Sequence, residues 1–526
     1  MELERRYVNL NHRKGEAFSQ MTMEEDLNVP DQKPDIYKII HGQGEFRPDE
    51  IKGETGKIKV RGIFLYRILY ISENVDRMPE MLEGSVPVDE TVFLNGLEEG
   101  DMLDVSWKQE DFRVSAVHSR KANMKCVLSF SAEAYREQPV PLLEQPEAAE
   151  DLYLKTSPVS LKQEMLHKKD TVRVREDVTI SPGKPNIRRI LWREVRLQGA
   201  EARQEDGKIL VKGELAVFFL YESDGTEIPV QWEEKMIPFR NETACEMSRG
   251  DLTGRTEVTL LRADMELQAD YDGEPRMIRV DAVLELKIRY YEERVCEALE
   301  DAYSLSCEMI PGKKEYAWDD ICQMTDSRAR VSGRMKIPEQ SPEMMQILCA
   351  GIGIHTDYSE RTEQGILIQG NVEVWVLYAS TDDAMPFACV KETFPFEHTA
   401  EIQKTEPDAA WQITAGLDQL MVSMLDAREL EMKAVLQIQV EVRCPRTLTV
   451  IEELTEQPAD MAKMRSLPGI AIHIVQPGED LWSIAKTHGT SCKSVMELND
   501  LKEETLHPGS RLLIVKEIAA HRNRTD

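Results

Sequence analysis

The chain has 526 residues, with 95 Asp and Glu against 65 Lys and Arg, for a formal net charge of −30. That length has room for roughly three to five domains, each large enough to bury a core. The charge argues against nucleic acid and anionic membrane as partners, because phosphate-bearing surfaces would be repelled. The opening residues Met1-Glu2-Leu3-Glu4-Arg5-Arg6-Tyr7 lack the apolar stretch of an export signal, and nothing approaches the roughly 18 uninterrupted apolar residues of a membrane span. A chain that stays in the cytoplasm is the expectation. Nine cysteines (Cys126, Cys245, Cys296, Cys307, Cys322, Cys349, Cys389, Cys444 and Cys492) are odd in number and scattered, without a CxxC pair. They predict reduced thiols.

From residue 34 onward one spacing occurs three times: Pro34, Gly62, Tyr70, Pro87, then Pro185, Gly213, Tyr221, Pro238, then Pro342, Gly370, Tyr378, Pro395. Steps of 28, 8 and 17 residues in every copy mean that one supersecondary unit was triplicated. The run ending at the tyrosine alternates strictly. Ile209, Val211, Leu215, Val217, Phe219 and Tyr221 share one parity, as do Ile58, Val60, Phe64, Tyr66, Ile68 and Tyr70, and Ile366, Ile368, Val372, Val374, Val376 and Tyr378. Period two predicts strand. The repeated glycine falls on the apolar parity, which predicts a bulge or bend at Gly62, Gly213 and Gly370 rather than a ligand-admitting gap. Each unit closes on another alternating run, such as Ala282 to Tyr290 or Ala434 to Val442. The fold class predicted is mainly β, with three tandem β-sandwich-like repeats at 1–145, 155–297 and 298–448.

Three enzymes in tandem would repeat their acid, base, nucleophile or metal ligands, since a site needs fixed geometry. Here His41 aligns with Trp192 and Cys349, and His398 with Glu90 and Asn241. What recurs is the entry Lys33-Pro34-Asp35-Ile36, Lys184-Pro185-Asn186-Ile187 and, more loosely, Ser341-Pro342-Glu343-Met344. Proline fixes φ and Asp or Asn suits turns, so a rigid entry into a strand is favoured over a recognition loop. Together with the strand ending Leu69-Tyr70, Leu220-Tyr221 and Leu377-Tyr378 and the later Pro238-Phe239 and Pro395-Phe396, these entries resemble the SPOCS domain of spore-coat proteins. The first copy departs with Pro87-Val88, and the third lacks the Lys-Pro-Asp entry.

Residues 449–469, with Glu452, Glu453, Glu456, Pro458 and Pro468 and no sustained periodicity, read as a linker. A compact unit follows at 470–516. Ile472 to Val475 predicts a strand and Pro477-Gly478 a turn, with Asp480 capping a helix whose apolar face is Leu481, Ile484 and Ala485. A second helix carries Val495, Met496 and Leu498, and Pro508-Gly509 turns the chain into a last strand. This β-α-α-β order resembles the LysM domain. The resemblance implies a shallow groove for N-acetylglucosamine glycans such as peptidoglycan, lined by Gly478, Glu479, Asp480 and Leu481 and by Leu506, His507 and Pro508. Trp482 beside the core stripe is read as a half-exposed contact residue, with Lys486 and Asn499 completing the candidate binding surface.

Three SPOCS-like units followed by LysM are similar to the SipL family of clostridial spore morphogenetic proteins. The resemblance implies a non-enzymatic adaptor in the mother-cell cytoplasm, at the forespore surface, which binds a coat ATPase of the SpoIVA type through LysM and other coat proteins through the trunk. It implies no cofactor. Glycan binding at the cortex or cell wall is the alternative. A wall-remodelling enzyme is the weakest reading, since no hydrolase-type carboxylate pair, Cys-His pair or zinc-ligand cluster stands out.

Overall fold

The alternating runs do form strands, and a computed structural model describes residues 5–74, 76–143, 152–225, 229–403, 406–458 and 468–517. The first repeat comprises β1 (Arg5–Asn28), β2 (Ile36–Glu54), β3 (Lys57–Ser72), β4 (Pro79–Phe93), β5 (Met102–His118) and β6 (Lys121–Leu143). The second has β7 (Leu152–Thr179), β8 (Ile187–Glu205), β9 (Lys208–Ser223), β10 (Val230–Ala244), β11 (Thr253–Gln268) and β12 (Met277–Ser304). The third has β13 (Cys307–Lys336), β14 (Met344–Arg361), β15 (Gly365–Ser380), β16 (Phe387–Glu401), β17 (Ala410–Met424) and β18 (Glu429–Pro458). Each repeat contributes two three-stranded antiparallel layers, β2-β3-β4 facing β1-β6-β5 in the first and their equivalents in the others, and one pairing of β6 with β12, Leu143 opposite Glu297, joins the second layers of the first two repeats into a six-stranded sheet. The predicted inward parity, for instance Ile209, Val211, Leu215, Val217, Phe219 and Tyr221, fills the core between the two sheets of its own repeat. The C-terminal unit runs β19 (Ile470–Ile474), α1 (Leu481–His488), α2 (Cys492–Leu498) and β20 (Arg511–Val515), the predicted β-α-α-β order.

The recurring spacing has a concrete cause. The hydroxyls of Tyr70, Tyr221 and Tyr378 donate to the carbonyls of Pro34, Pro185 and Pro342 at 3.0, 3.3 and 3.1 Å. Each bond ties the end of the central strand to the turn that enters the sheet, so the proline and the tyrosine are kept as partners in all three repeats. An arginine closes the same turn from the other sheet. Arg120 donates to the carbonyls of Lys33 and Val29, Arg276 to that of Lys184, and Arg428 to those of Ser341 and Pro338. Asp35, Asn186 and Glu343 accept from the same three guanidiniums. The recurring entry is a pinned turn.

The glycine expectation needs correction. The bulges lie not at Gly62, Gly213 and Gly370 but on the neighbouring strand, between Pro48 and Glu50, Gln198 and Glu201, and Thr356 and Tyr358. The bulged backbone and an aromatic ring crowd the glycine, so that a Cβ at Gly370 would collide with the His355 carbonyl oxygen and stand 2.8 Å from Phe396. Phe239 covers Gly213 in the same way. Where the first repeat has Val88 opposite Gly62, Phe46 of β2 supplies the ring instead. Glycine is required for close approach.

Two boundaries move. Strand β18 continues to Pro458, pairing with β13 as far as Cys307, so 449–458 is strand rather than linker, and 459–467 lies outside the described residues. Strand β12 likewise runs past the boundary expected at 297. These extensions persist because they bury apolar residues of all three repeats together: Val8, Leu10, Val140 and Leu142 meet Leu161 and Ala298, and Tyr316, Trp318 and Val450. The expectation of reduced thiols fails at one pair, for Cys322 and Cys444 are bridged between β13 and β18. Cys322 is the bulged residue between Ile321 and Gln323, which brings it beside Cys444 with Cα atoms 6.0 Å apart.

Toward the C-terminal end of the central strands the second parity is buried as well. Leu69, Leu220 and Leu377, equivalent positions in the three repeats, share one cluster with Trp192, Phe218, Cys349 and Trp375. His41 sits among them, 4.3 Å from the Trp375 ring and 5.4 Å from Trp192 by ring centroids. Burial, with Lys391 and Arg67 adding, pushes the His41 imidazole down to about 3, and burial pushes the Cys389 thiol beside it up to about 12. The unlike residues at these aligned positions form a packing centre with a neutral imidazole and protonated thiols.

An unfolded imidazole takes up its proton from about pH 6.5 downward whereas the buried one does not, so acid favours the unfolded chain. Denaturant unfolding should lose up to ~1.4 kcal/mol of stability per pH unit below 6.5, and His41→Leu should remove that part of the slope. Gly370→Ala should destabilise by about 1–3 kcal/mol in the same measurement, by overpacking.

Candidate functional site

The C-terminal unit holds every candidate site residue, and its small core is Val475, Leu481, Ile484, Ala485, Val495, Leu512 and Ile514. Asp480 caps α1 as predicted: its carboxylate accepts from the Ser483 amide at 2.9 Å, and the Ser483 hydroxyl closes a capping box. Leu498, carried by α2 as expected, is exposed. Asn499 follows it and clamps β20, donating to the Leu513 carbonyl and accepting from the Leu513 amide, both at 2.7 Å. Its side chain thus substitutes for a neighbouring strand.

The two predicted groove loops leave the sheet side by side, because the Val475 amide donates to Ser510 and the Gly509 amide to the Val475 carbonyl. Gly478, with φ of +88°, makes the first turn. Glu479 turns back on its own loop, accepting from the Gln476 amide and from His473, both at 2.8 Å, and these bonds hold its carboxyl below the usual range. Leu506 packs on the core, while His507 and Pro508 are exposed at the tip of the second loop.

Trp482 and Lys486 face the trunk. The Trp482 indole N–H donates to the Asp301 carboxylate at 2.9 Å, and the Lys486 ammonium spans both Asp301 oxygens at 2.7 Å. The indole meets the Tyr303 ring edge-on at 4.7 Å, Tyr303 stacks on Tyr153, and the Tyr303 hydroxyl donates to the Thr490 carbonyl. Lys155 pairs with Asp480 at 2.9 Å. Burial raises the Asp301 carboxyl, but Lys486 and the indole outweigh it and leave it below its ordinary value. Ser483 and Lys155 hold Asp480 well below its own. The half-buried tryptophan is therefore a contact residue whose partner in this structure is the end of β12. Asp301, Tyr303, Tyr153 and Lys155 carry no sequence signal, because nothing local distinguishes them from other charged or aromatic strand residues.

With that face covered, the sheet is what the unit presents outward. Ile470, Ile472 and Ile474 alternate with inward Ala471, His473 and Val475, and the first two pair across the sheet with Val515 and Leu513. Ile470 and Ile472 are 68% and 69% exposed, and Ile474, Leu513 and Val515 are exposed too. Isoleucine at every outward position of β19 was a readable signal, since a one-sided sheet alternates apolar with polar.

Comparison with known families finds the SipL-type SPOCS domain at 35–117, 186–268 and 343–425, and a LysM domain at 473–515. The chain has the architecture of the SipL family. No curated relative and no solved structure matches it. Each SPOCS match spans four strands, β2 to β5 and their equivalents, and the long strands that flank it complete the second sheet and carry a second cluster of contacts between repeats. No helix among the described residues of this SipL-type chain is long and apolar enough to cross a membrane.

Asp301→Ala removes every polar anchor of Trp482 and Lys486 seen here. Small-angle scattering should then give a larger radius of gyration, while denaturant unfolding of the trunk stays within about 1 kcal/mol of the parent, as expected for a half-exposed site.

Proposed function

We propose that this SipL-type chain is a non-enzymatic adaptor of spore-coat assembly, working in the mother-cell cytoplasm at the forespore surface. Its LysM unit docks on a basement-layer coat ATPase of the SpoIVA type, and its trunk offers surfaces to other coat proteins. The observation that carries the docking surface is the apolar outer face of the LysM sheet. Five exposed aliphatic side chains on two short strands make a contiguous patch, and exposed patches of this kind mark protein contact sites more often than they are left bare. Charge supports the same end of the molecule. From Ile470 onward the formal balance is −1, against −29 for the rest, so a macromolecular partner approaches there with the least repulsion.

The LysM match and the paired loops around Gly478 and Pro508 support a second reading, glycan binding, on a different edge of the same unit. The Glu479 carboxylate, already committed to Gln476 and His473, leaves fewer free acceptors there for sugar hydroxyls.

Calorimetric titration of the full chain against the purified coat ATPase and, separately, soluble peptidoglycan fragments tests both. Ile472→Glu should weaken the ATPase at least about tenfold, the scale of losing a central interface anchor, and leave the circular dichroism unchanged. Full-strength ATPase binding by that variant would remove the sheet as the docking surface. Binding of glycan alone would replace the adaptor reading.

A further inference from the structure

A cleft of about 960 Å³ opens between the second and third repeats. Ala200 to Arg203 of β8 line one side and Met324 to Arg328 of β13 the other. Successive residues of a strand point to opposite faces, so a wall made of consecutive residues is a strand edge, and Gln437 and Gln439, alternate residues of β18, add a strip of sheet face beside it. Among the described residues β8 pairs with β9 alone and β13 with β18 alone, which leaves both of these edges without a hydrogen-bonded neighbour. Between Met324 and Arg328 the pairing of β13 with β18 runs without a register shift, so this stretch presents a straight row of backbone groups.

The cleft has the opposite charge to the molecule. Arg203, Lys212, Arg240, Arg255 and Arg328 line it, against the carboxylates of Glu201 and Asp326. Lys212 pairs with Glu201 at 2.9 Å, Arg255 with Glu257 at 2.6 Å and Arg328 with Asp418 at 3.0 Å, while Asp326 accepts from Gln437 and Gln439. Among the described residues neither Arg203 nor Arg240 has a carboxylate within 4.0 Å, and both are exposed. A local excess of cations within a chain of net charge −30 selects for anionic groups.

We propose that this cleft is a docking site for an extended acidic segment of a partner protein. The segment adds as a strand to the free edge of β13 at 324–328, and its carboxylates, projecting from alternate residues, meet Arg203 and Arg240. Backbone pairing supplies affinity and the arginines supply selectivity, the division of labour usual in strand addition. The surface is separate from the LysM sheet, so one chain could hold two partners at once.

The test uses the full chain and fluorescence anisotropy with three labelled probes: a short peptide alternating Glu and Val, the same peptide with Lys for Glu, and the Glu peptide N-methylated along one edge. The expected result is binding of the first only, weakened at least about tenfold by Arg203→Glu combined with Arg240→Glu, the scale of reversing two contact charges. Both arginines are exposed, and circular dichroism checks that the variant is folded. Equal binding of the N-methylated peptide would replace strand addition by simple charge attraction. No binding of the Glu peptide, or unchanged binding by the double variant, would overturn the site.

Discussion

The trunk depends on one constraint: the C-terminal half of the central strand of each repeat, β3, β9 or β15, is buried on both faces. One parity packs inside its own sandwich, and the other packs against the equivalent strands of the remaining two repeats through Leu69, Leu220 and Leu377. A strand so placed tolerates little slippage, because a shift of one residue would exchange the two buried sets. The tyrosine that ends it, bonded to the proline at the entry turn, fixes its register against the chain.

Beside those three leucines, one set of equivalent positions at the centre holds unlike residues. His41, Trp192 and Cys349 make a ring-on-ring contact on one side and leave a small thiol on the other. Arg196 reaches the Cys349 sulfur, and Glu194, fully buried, accepts from Gln43 of the first repeat while burial raises its carboxyl. These contacts join particular copies, so they make each interface between repeats different from the others. Residues that fail to recur in the sequence do this by being different.

The LysM unit is tied to this trunk by contacts that use up its helical face. A small domain with a core of seven fully buried apolar residues has little surface to spare. Covering Trp482 and Lys486 with Asp301 and Tyr303 turns the aliphatic sheet outward and leaves the two glycan-type loops along one side. The candidate site was thus legible as a domain but not as a surface. Asp480 announced its cap and Leu481, Ile484 and Ala485 their core stripe, since both are set by neighbours within a helical turn. Whether Trp482 meets solvent, a foreign partner or the trunk depends on a strand about 180 residues away.

By itself the sequence determined the triplication, the strand character of each run, the parity that faces each core, and the β-α-α-β order of the last unit. All of these rest on local periodicity and short-range turn or cap chemistry, which a chain writes into neighbouring residues. Only the tertiary structure decided that the bulges lie opposite the repeated glycines, that β18 runs through the supposed linker, that Cys322 meets Cys444, and that three arginines close the entry turns. The arginines eluded the spacing because the loop ahead of Arg276 is longer than its counterparts in the other copies. Each of these facts is a contact between segments far apart in the chain, chosen by packing rather than by propensity, and packing is settled only when the sheets meet.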